Sequence, residues 1–313
     1  MRTQPLGDSP LLSTRVAYGC WRVAGSEDPR QVTDDSIAHG RRAIAAAYEA
    51  GYTLFDNADI YCHGLCETVL GQALRDNPGM RDRVLIATKC GICFPGEPNA
   101  DSPHRYDFSA SHVLWSAEQS LKRLNIETID LYQLHRPDVL MDPHEVAGAF
   151  DQLRRQGKAK EFGVSNFSTS YVDTLSQFCP MPMIVNQVEI SLARLDCFYD
   201  GTLDQCLRKN MTPLAWSPLG QGWLGSGKLD PADPHVQRKT ALIAMLDQVA
   251  TRHGVPRMVI ALAWLMKHPS KIIPIIGSTN PEHIRAATKA DEVDLSREDW
   301  YRLLTAARGE PLP

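Results

Sequence analysis

Eight short apolar runs, separated by longer segments with helical spacing, constrain the fold more than any other feature of the sequence. The runs are rich in β-branched and aromatic residues, and they read VAYGCW, YTLFD, VLIAT, IDLYQL, KEFGVS, MIVNQV, TPLAW and KIIPIIG. Strands that alternate with helices pair in parallel, and a parallel sheet is buried on both faces. Eight such units predict a (β/α)8 TIM barrel, an α/β fold whose eight-stranded sheet is parallel and closed. An open doubly wound sheet is the alternative.

Two of the intervening segments have clear helical features. The segment SHVLWSAEQSLKRL carries an apolar stripe at steps of three, four and three residues, formed by Leu114, Ala117, Leu121 and Leu124. The segment DPHEVAGAFDQLRRQG has Asp142 as a predicted N-cap, Pro143 at the first helical position, Glu145 at the third and Gly157 as the stop. Both segments therefore predict helices between strands.

Composition and charge exclude several classes of protein. The 313 residues are 43% hydrophobic and 22% charged, which is typical of a soluble globular chain, and no linker or repeat divides them. We expect one domain over residues 1–313. The formal net charge of −4 gives no basic surplus for nucleic acid, and no run of about 18 apolar residues predicts a membrane span. The N-terminus lacks an apolar signal segment, so the sequence predicts a cytoplasmic protein with reduced cysteines.

Three consecutive strand runs end on a charged or titratable side chain. Asp56 ends the second run, Lys89 follows the third and His135 follows the fourth, while Tyr61 lies five residues after Asp56. Barrel enzymes build their active sites at the carboxyl ends of the strands. A purely structural interpretation remains open, with Asp56 and Lys89 as a buried ion pair and His135 hydrogen-bonded under a loop. That interpretation leaves Tyr61 without a role.

One chemical role connects these four residues. A tyrosine hydroxyl titrates near 10, so a nearby cation such as Lys89 helps it to release a proton. A lysine in a partly dry pocket keeps its charge only beside a carboxylate, which Asp56 supplies. His135 can donate a hydrogen bond to the same substrate oxygen. The set suits protonation of an oxygen on which negative charge develops, as when a carbonyl receives hydride.

The sequence resembles the aldo-keto reductase superfamily, and its bacterial-type members in particular, from residue 16 almost to the C-terminus. The matching motifs are FDNADIY, followed by Gly64, Glu67 and LG, then ATK, DLYQLHRPD, GKAKEFGVSNF, NQVEIS, SPLGQGWL and IPIIGSTNPEHI. The resemblance implies a catalytic tetrad of Asp56, Tyr61, Lys89 and His135. Tyr61 would be the general acid in reduction and the base in oxidation.

The resemblance also implies an NADP(H) site. Ser165, Asn166 and Gln187 would hydrogen-bond the nicotinamide carboxamide, and Trp216 would stack on the ring, although it can also be a core tryptophan. The loop along the pyrophosphate would consist of Ser217, Pro218, Leu219 and Gly220. The adenosine phosphate would meet Gly277, Ser278, Thr279 and His283 near the last barrel helix. The sequence has no G-x-G-x-x-G after an early strand, as a Rossmann domain would.

The sequence departs from the family pattern around the adenosine. His283 stands where many members have arginine, and Ala286 and Ala287 replace polar residues, with Arg285 as a possible substitute cation. Because arginine is the best partner for the 2′-phosphate, we expect NADPH to be preferred over NADH by less than an arginine would give. Trp21, at the end of the first strand run, is predicted to line the substrate pocket.

Two other functions compete with this interpretation. Cys62 and Cys66 follow the second run, and Cys90 and Cys93 form a C-x-x-C motif after Lys89, so the four can be metal or redox ligands or small apolar fillers. We expect filler and assign no metal ligand. The second alternative is a slow sensor or regulatory subunit that keeps the reductase fold and cofactor.

The sequence thus predicts an NADP(H)-dependent enzyme that reduces a small-molecule carbonyl or oxidises the corresponding alcohol. It carries no indication of the substrate's identity, of the physiological direction or of the oligomeric state.

Overall fold

The computed structural model describes residues 1–225 and 228–313 of the chain. Its strands are β1 Thr3–Pro5, β2 Leu12–Thr14, β3 Ala17–Gly19, β4 Leu54–Asp56, β5 Leu85–Cys90, β6 Ile92–Cys93, β7 Arg105–Tyr106, β8 Ile129–Leu134, β9 Ala159–Ser165, β10 Met183–Glu189, β11 Thr212–Trp216 and β12 Ile273–Ile276. Its α-helices are α1 Asp34–Glu49, α2 Leu65–Asp76, α3 Ala110–Leu124, α4 Pro143–Arg155, α5 Thr169–Phe178, α6 Thr202–Arg208, α7 Val236–His253, α8 Arg257–Met266, α9 Pro281–Ala287 and α10 Arg297–Arg308. Single 3₁₀ turns lie at Pro29–Gln31, Tyr61–Gly64, Arg81–Arg83, Asp196–Phe198, Gly220–Gly222 and Thr288–Asp291.

Eight parallel strands close into a barrel in the order β3, β4, β5, β8, β9, β10, β11, β12 and back to β3. Each strand lies within or largely overlaps one of the eight apolar runs, and helices cross between them on the outside. The predicted (β/α)8 fold is confirmed, and the open sheet is excluded because β12 pairs with β3. The runs are largely apolar on both faces because they face the barrel interior on one side and the helices on the other.

The two helices predicted from their spacing are present. In α3 the stripe of Ala117, Leu121 and Leu124 is buried against the barrel. In α4 the Asp142 side chain accepts a hydrogen bond from the His144 backbone, and the helix ends before Gly157, which has a positive φ of 69°. Glu145 does not complete a capping box; its carboxylate accepts a hydrogen bond from the backbone N–H of Ala110, 2.8 Å away, and so joins α4 to the start of α3.

An N-terminal hairpin closes the barrel at the end opposite the strand carboxyl ends. The strands β1 and β2 pair antiparallel, and Leu6 and Leu11 between them belong to the same apolar cluster as Leu54 and Ile184 of the barrel. Gly7 lies so close to the barrel that a Cβ atom there would be 2.5 Å from the Ile184 carbonyl oxygen. Only one end of the barrel interior is therefore left open for a ligand.

Within residues 1–225 and 228–313, the helices are all too short or too polar to cross a bilayer. The helices bury apolar side chains against the barrel or another helix, while a few, such as Trp115 and Leu207, are exposed. The clearest case is α8, in which residues 258–266 are all buried between the barrel and its neighbouring helices.

Candidate active site

The alternation of side chains along the strands places polar groups inside the open end of the barrel. On β4, Leu54 belongs to the barrel core, and Asp56 follows two residues later on the same face. On β5, Ala87 and Lys89 have the same relation. Because side chains alternate between faces, an inward apolar residue predicts an inward side chain two positions on. Gln187 follows the buried core residues of β10 in the same way.

Lys89 is held by three hydrogen bonds beneath the mouth of the barrel. Its Nζ donates to Asp56 Oδ2 at 2.9 Å, to the Asn57 carbonyl oxygen at 2.6 Å and to the Tyr61 hydroxyl at 3.2 Å. An ammonium group has three donors, so this set uses all of them. The side chain has no exposed surface. The ammonium group is therefore held beside the Tyr61 hydroxyl.

Burial and the neighbouring charges set the protonation of this group. Burial by itself would lower the pKa of Lys89, but the carboxylate of Asp56 and the Tyr61 hydroxyl outweigh it, and the pKa is raised. Burial also raises the pKa of Tyr61, more than the charge of Lys89 lowers it. At neutral pH the pair is therefore an ammonium and a protonated phenol.

His135 lies beside Tyr61 as a neutral imidazole. It follows β8 directly, and its ring centroid is 5.8 Å from that of Tyr61. Burial lowers its pKa well below the usual value, and the charges of Lys89 and Arg136 lower it further. Its Nδ1 atom is buried and has no hydrogen-bond partner among the described residues. A neutral ring of this kind can donate one N–H to a bound oxygen.

A second polar group lies across the mouth at the ends of β9, β10 and β11. Gln187 donates through Nε2 to Asp56 Oδ1 at 2.8 Å, and the Ser165 hydroxyl donates to the Gln187 carbonyl oxygen at 2.9 Å. Asn166 accepts from Trp216 Nε1 at 3.0 Å. Asn166 has a positive φ of 59°, a conformation that asparagine tolerates better than most residues and that is often found at functional sites.

These groups line one cavity of about 470 Å³ at the open end of the barrel. Of the residues singled out in the sequence, those on its wall are Trp21, Asp56, Tyr61, His135, Ser165, Asn166, Gln187, Trp216, Ser217, Pro218, Leu219, Gly277, Ser278 and His283. Lys89 lies behind the wall, bonded to Asp56 and Tyr61. Gly220 and Thr279 are off the wall but adjacent in sequence to residues that form it.

The end of the cavity near α9 has polar side chains but no arginine from that helix on its wall. The hydroxyl of Ser278 lies 3.5 Å from His283 Nδ1, and both residues line the cavity, whereas Arg285 is exposed away from it. The helix has only seven residues, and the Asn280 side chain caps the Glu282 N–H. A phosphate in this part of the cavity would meet Ser278 and His283 first.

Sequence reasoning missed several residues of the wall. Arg22 and Arg136 both line it, and the guanidinium of Arg136 lies 5.9 Å from the Trp216 ring. Gln221 and Met258 also contribute, Met258 from α8, which the sequence did not connect with the site. The two arginines could have been predicted from the sequence, because Arg22 directly follows Trp21 and Arg136 directly follows His135, both of which were predicted site residues.

The four cysteines near the site do not form a common cluster. Cys62 and Cys66 belong to one part of the core, and the Cys66 thiol donates to the Trp21 carbonyl oxygen at 3.3 Å, while Cys90 packs in another part. In the part of the chain that the structure describes, no group of side chains spaced to hold a metal contains any of these three. Cys93 alone has such neighbours.

Comparisons with known proteins agree with this architecture. The aldo/keto reductase family model matches residues 15–307. The chain is 40% identical to "6-dehydroglucose reductase" of Novosphingobium aromaticivorans, over 98% of this chain and 96% of that protein. It is 37% identical to "6-dehydroglucose reductase" of Agrobacterium fabrum over 99% of both chains, and 38% identical to "Oxidoreductase YdhF" of Escherichia coli over 96% of this chain and 95% of that protein.

Solved structures show the same fold. The glycerol dehydrogenase AKR11B4 from Gluconobacter oxydans is similar with a TM-score of 0.86 and 25% identity, covering 99% of this chain and 97% of that chain. The thermostable aldo-keto reductase Tm1743, solved with the inhibitor epalrestat, gives a TM-score of 0.82 at 26% identity, covering 98% of this chain and 100% of that chain. With the family match over nearly its whole length, the chain belongs to the aldo/keto reductase family of oxidoreductases.

Proposed function

We propose that this protein reduces the carbonyl of an aldehyde or ketone to an alcohol with NADPH, and that Tyr61 is the general acid. The observation that carries the proposal is the contact of 3.2 Å between Lys89 Nζ and the Tyr61 hydroxyl, with Lys89 held by Asp56. It favours loss of the phenolic proton when an anionic oxygen forms beside it.

The roles of the side chains follow from this contact. When bound, the nicotinamide supplies the hydride. Tyr61 gives its proton to the carbonyl oxygen, and the adjacent Lys89 ammonium stabilises the phenolate that remains. His135, neutral and beside Tyr61, donates an N–H to the same oxygen and orients the carbonyl. In the oxidative direction the proton transfer is reversed, and the Tyr61 phenolate acts as the base that takes the proton of the alcohol.

The residues of the cavity fit a dinucleotide. Asn166 and Gln187 present amide groups beside Ser165, which suit the donor and acceptor of a carboxamide, and the Trp216 ring at the cavity wall suits stacking. Pairing Asn166 with Trp216 fixes both side chains before binding. We propose that the loop from Ser217 to Gly220 follows the pyrophosphate.

The preference for NADPH over NADH depends on the end of the cavity near α9. We propose that Ser278 and His283 hold the 2′-phosphate, with Gly277 and Thr279 beside them. A hydroxyl and an imidazole offer fewer fixed donors than the planar fork of an arginine. The preference is therefore expected to be moderate.

For the substrate, we propose a polyhydroxylated aldehyde as the first class to test. Two relatives that cover almost the whole chain are named 6-dehydroglucose reductase. The mouth of this cavity combines the Trp21 indole with the guanidinium groups of Arg22 and Arg136. An aromatic face beside several hydrogen-bond donors suits a sugar, which has apolar C–H surface and many hydroxyl acceptors.

The test is NADPH oxidation with a panel of sugar aldehydes, simple aldehydes and ketones, in the wild type and in Tyr61→Phe. We expect Tyr61→Phe to lower kcat by about 10²- to 10⁴-fold, because it removes the proton donor, and to leave the NADPH dissociation constant within about twofold. Lys89→Met should lower kcat as well. Tyr171→Phe, which changes a tyrosine remote from the cavity, is the matched control.

Two results would contradict parts of the proposal. Nearly full turnover by Tyr61→Phe on a good substrate would show that another group supplies the proton. Tight NADPH binding with no turnover of any carbonyl by the wild type would favour the sensor or regulatory function instead.

A further inference from the structure

Cys93, the second cysteine of the C-x-x-C motif, lies beside two side chains of metal-ligand type that the motif does not include. Its Sγ lies 3.8 Å from Nε2 of His112, and one carboxylate oxygen of Asp107 joins them, with the three ligand atoms all within 4.8 Å of one another. Cys90 does not take part, because it is buried in the apolar core. The cluster lies outside the cavity lined by Tyr61.

The fold brings the three side chains together by a hairpin. In β6 and β7, Cys93 pairs with Arg105, and the Asp107 N–H donates to the Gly91 carbonyl oxygen at 2.9 Å, which continues the pairing past the strands. Asp107 therefore lies opposite Gly91 and diagonal to Cys93, on the same face of the hairpin. His112 comes from the first turn of α3, which begins a few residues after the hairpin.

Gly91 and Ser109 fix this arrangement from both sides. Gly91 has a φ of 107°, and a Cβ atom there would lie 2.0 Å from the Phe108 ring, so the tight approach requires glycine. The Asp107 carboxylate accepts hydrogen bonds from the Ser109 N–H at 3.1 Å and from the Ser109 hydroxyl at 2.7 Å. The carboxylate is thus oriented before any ligand binds, as metal-ligating carboxylates commonly are.

The spacing and chemistry of the group suit zinc. In a tetrahedral site, with Zn–S near 2.3 Å and Zn–N near 2.1 Å, the sulfur and nitrogen lie about 3.6 Å apart, close to the 3.8 Å between Cys93 and His112. Thiolate and imidazole favour zinc over magnesium or calcium. One thiolate and one carboxylate together balance a divalent charge. Cys93 is 4% exposed, whereas Asp107 and His112 are half-buried, so the group is protected but can be reached from solvent.

We propose that Cys93, Asp107 and His112 bind one zinc ion, with a fourth position open to water, and that the ion ties the β6–β7 hairpin to α3. Binding replaces the thiol proton of Cys93, which is released to solvent. The guanidinium of Arg105 is 3.8 Å from Asp107 and partly exposed, and it moves aside into water when the ion neutralises the carboxylate.

The hairpin also contacts the turn that carries Tyr61. Phe94 follows β6 directly, and its ring stacks on His63 with the centroids 4.0 Å apart. His63 lies in the same 3₁₀ turn, Tyr61–Gly64, as the proposed proton donor. A zinc ion at the base of the hairpin therefore stabilises a segment that borders the active site without contacting the cavity.

The test is titration of the metal-free full-length protein with Co²⁺, followed by competition with Zn²⁺ against a chromophoric chelator. We expect one equivalent of Co²⁺ to give the thiolate-to-metal charge-transfer band in the near ultraviolet and the strong visible bands of a tetrahedral site. Cys93→Ser should abolish the charge-transfer band, and His112→Ala should weaken zinc binding at least tenfold. Cys179→Ser and His104→Ala are controls that change a buried cysteine outside the group and a histidine beside it, and both should bind as the wild type does.

A second measurement needs no variant. Zinc should slow the alkylation of Cys93 in the wild type, read by peptide mass spectrometry, and should raise the Tm of the protein. A wild type without a charge-transfer band, a band that persists in Cys93→Ser, or alkylation of Cys93 that is unchanged by zinc would each overturn the site.

Discussion

Replacing Asp59 by asparagine should remove a pH dependence of stability between pH 6 and pH 8. Asp59 lies between Asp56 and Tyr61 in the sequence, and its Oδ2 accepts a hydrogen bond from the Ser116 hydroxyl at 2.6 Å. Its Oδ1 is buried and has no hydrogen-bond partner among residues 1–225 and 228–313. Burial raises the pKa of this carboxyl to about 7, against a partial lowering by the Ser116 hydrogen bond.

The sign and size of the effect follow from proton linkage. In the unfolded chain an aspartate titrates near 3.9, so between about pH 5 and the folded-state pKa of about 7 only the folded state retains the proton. The contribution to stability is complete below the unfolded pKa and is lost as the pH rises through about 7. For a group that titrates at about 7 in the folded state, the protonated fraction falls about tenfold between pH 6 and pH 8. The free energy of unfolding should therefore fall by about 1.4 kcal/mol over this interval because of Asp59.

The measurement is urea unfolding of the wild type and Asp59→Asn at pH 6, 7 and 8. Subtracting the two pH profiles cancels the other titrating groups and leaves the contribution of Asp59. Asp101→Asn, a change at an exposed aspartate, should keep the profile of the wild type. The reasoning is refuted if Asp59→Asn loses stability toward pH 8 as steeply as the wild type does, or if the wild type gains stability over the interval relative to the variant.

Three further predictions concern buried groups and the cofactor. Arg123→Leu should lower the free energy of unfolding in urea by about 3 kcal/mol, because the buried carboxylate of Glu67 loses its ion pair of 2.7 Å. Arg155→Leu, which breaks an exposed ion pair, should lower it by under about 1 kcal/mol. Equal losses in the two variants would contradict this prediction. Gln133→Met should raise stability by about 1 kcal/mol, since neither polar atom of this buried amide has a partner in the described residues, and a loss of stability would indicate a bound water instead. His283→Ala should lower the ratio of kcat/KM for NADPH to that for NADH, and His283→Arg should raise it, while equal or better use of NADH by the wild type would show that the 2′-phosphate binds elsewhere.

The barrel itself could be predicted because its pattern is local. Each barrel strand corresponds to an apolar run of a few residues in the sequence. The strands follow the order of these runs around the barrel, because parallel strands joined by helices pair with their sequence neighbours. The inward direction of Asp56 and Lys89 was available as well, since each lies two residues after an inward apolar residue. Strand periodicity and the rule that barrel sites lie at strand carboxyl ends bring these side chains together without any long-range information.

The roles of the cysteines and acids could not be predicted from spacing alone. The sequence grouped Cys90 with Cys93, whereas the fold buries Cys90 among apolar side chains and places Cys93 beside His112, nineteen residues further on. Glu145 was assigned to its own helix and instead bonds Ala110 of the helix before. Which partner a side chain finds depends on the register of a hairpin and on the packing of one helix against another.

The sequence by itself thus determined the pattern of strands and helices and the group of polar residues at the strand ends, because each depends on repeats within a few residues. Closure of the sheet into a barrel was decided by the tertiary structure, in which β12 pairs with β3. Tertiary structure alone decided how deeply each group is buried and what lies opposite it. Asp59 shows the difference, since its sequence context is that of an ordinary loop acid, and only burial in the folded chain raises its pKa, against the hydrogen bond from Ser116 of α3, which lowers it. Burial and long-range contacts set the chemistry of a side chain, and both arise from residues that are distant along the chain.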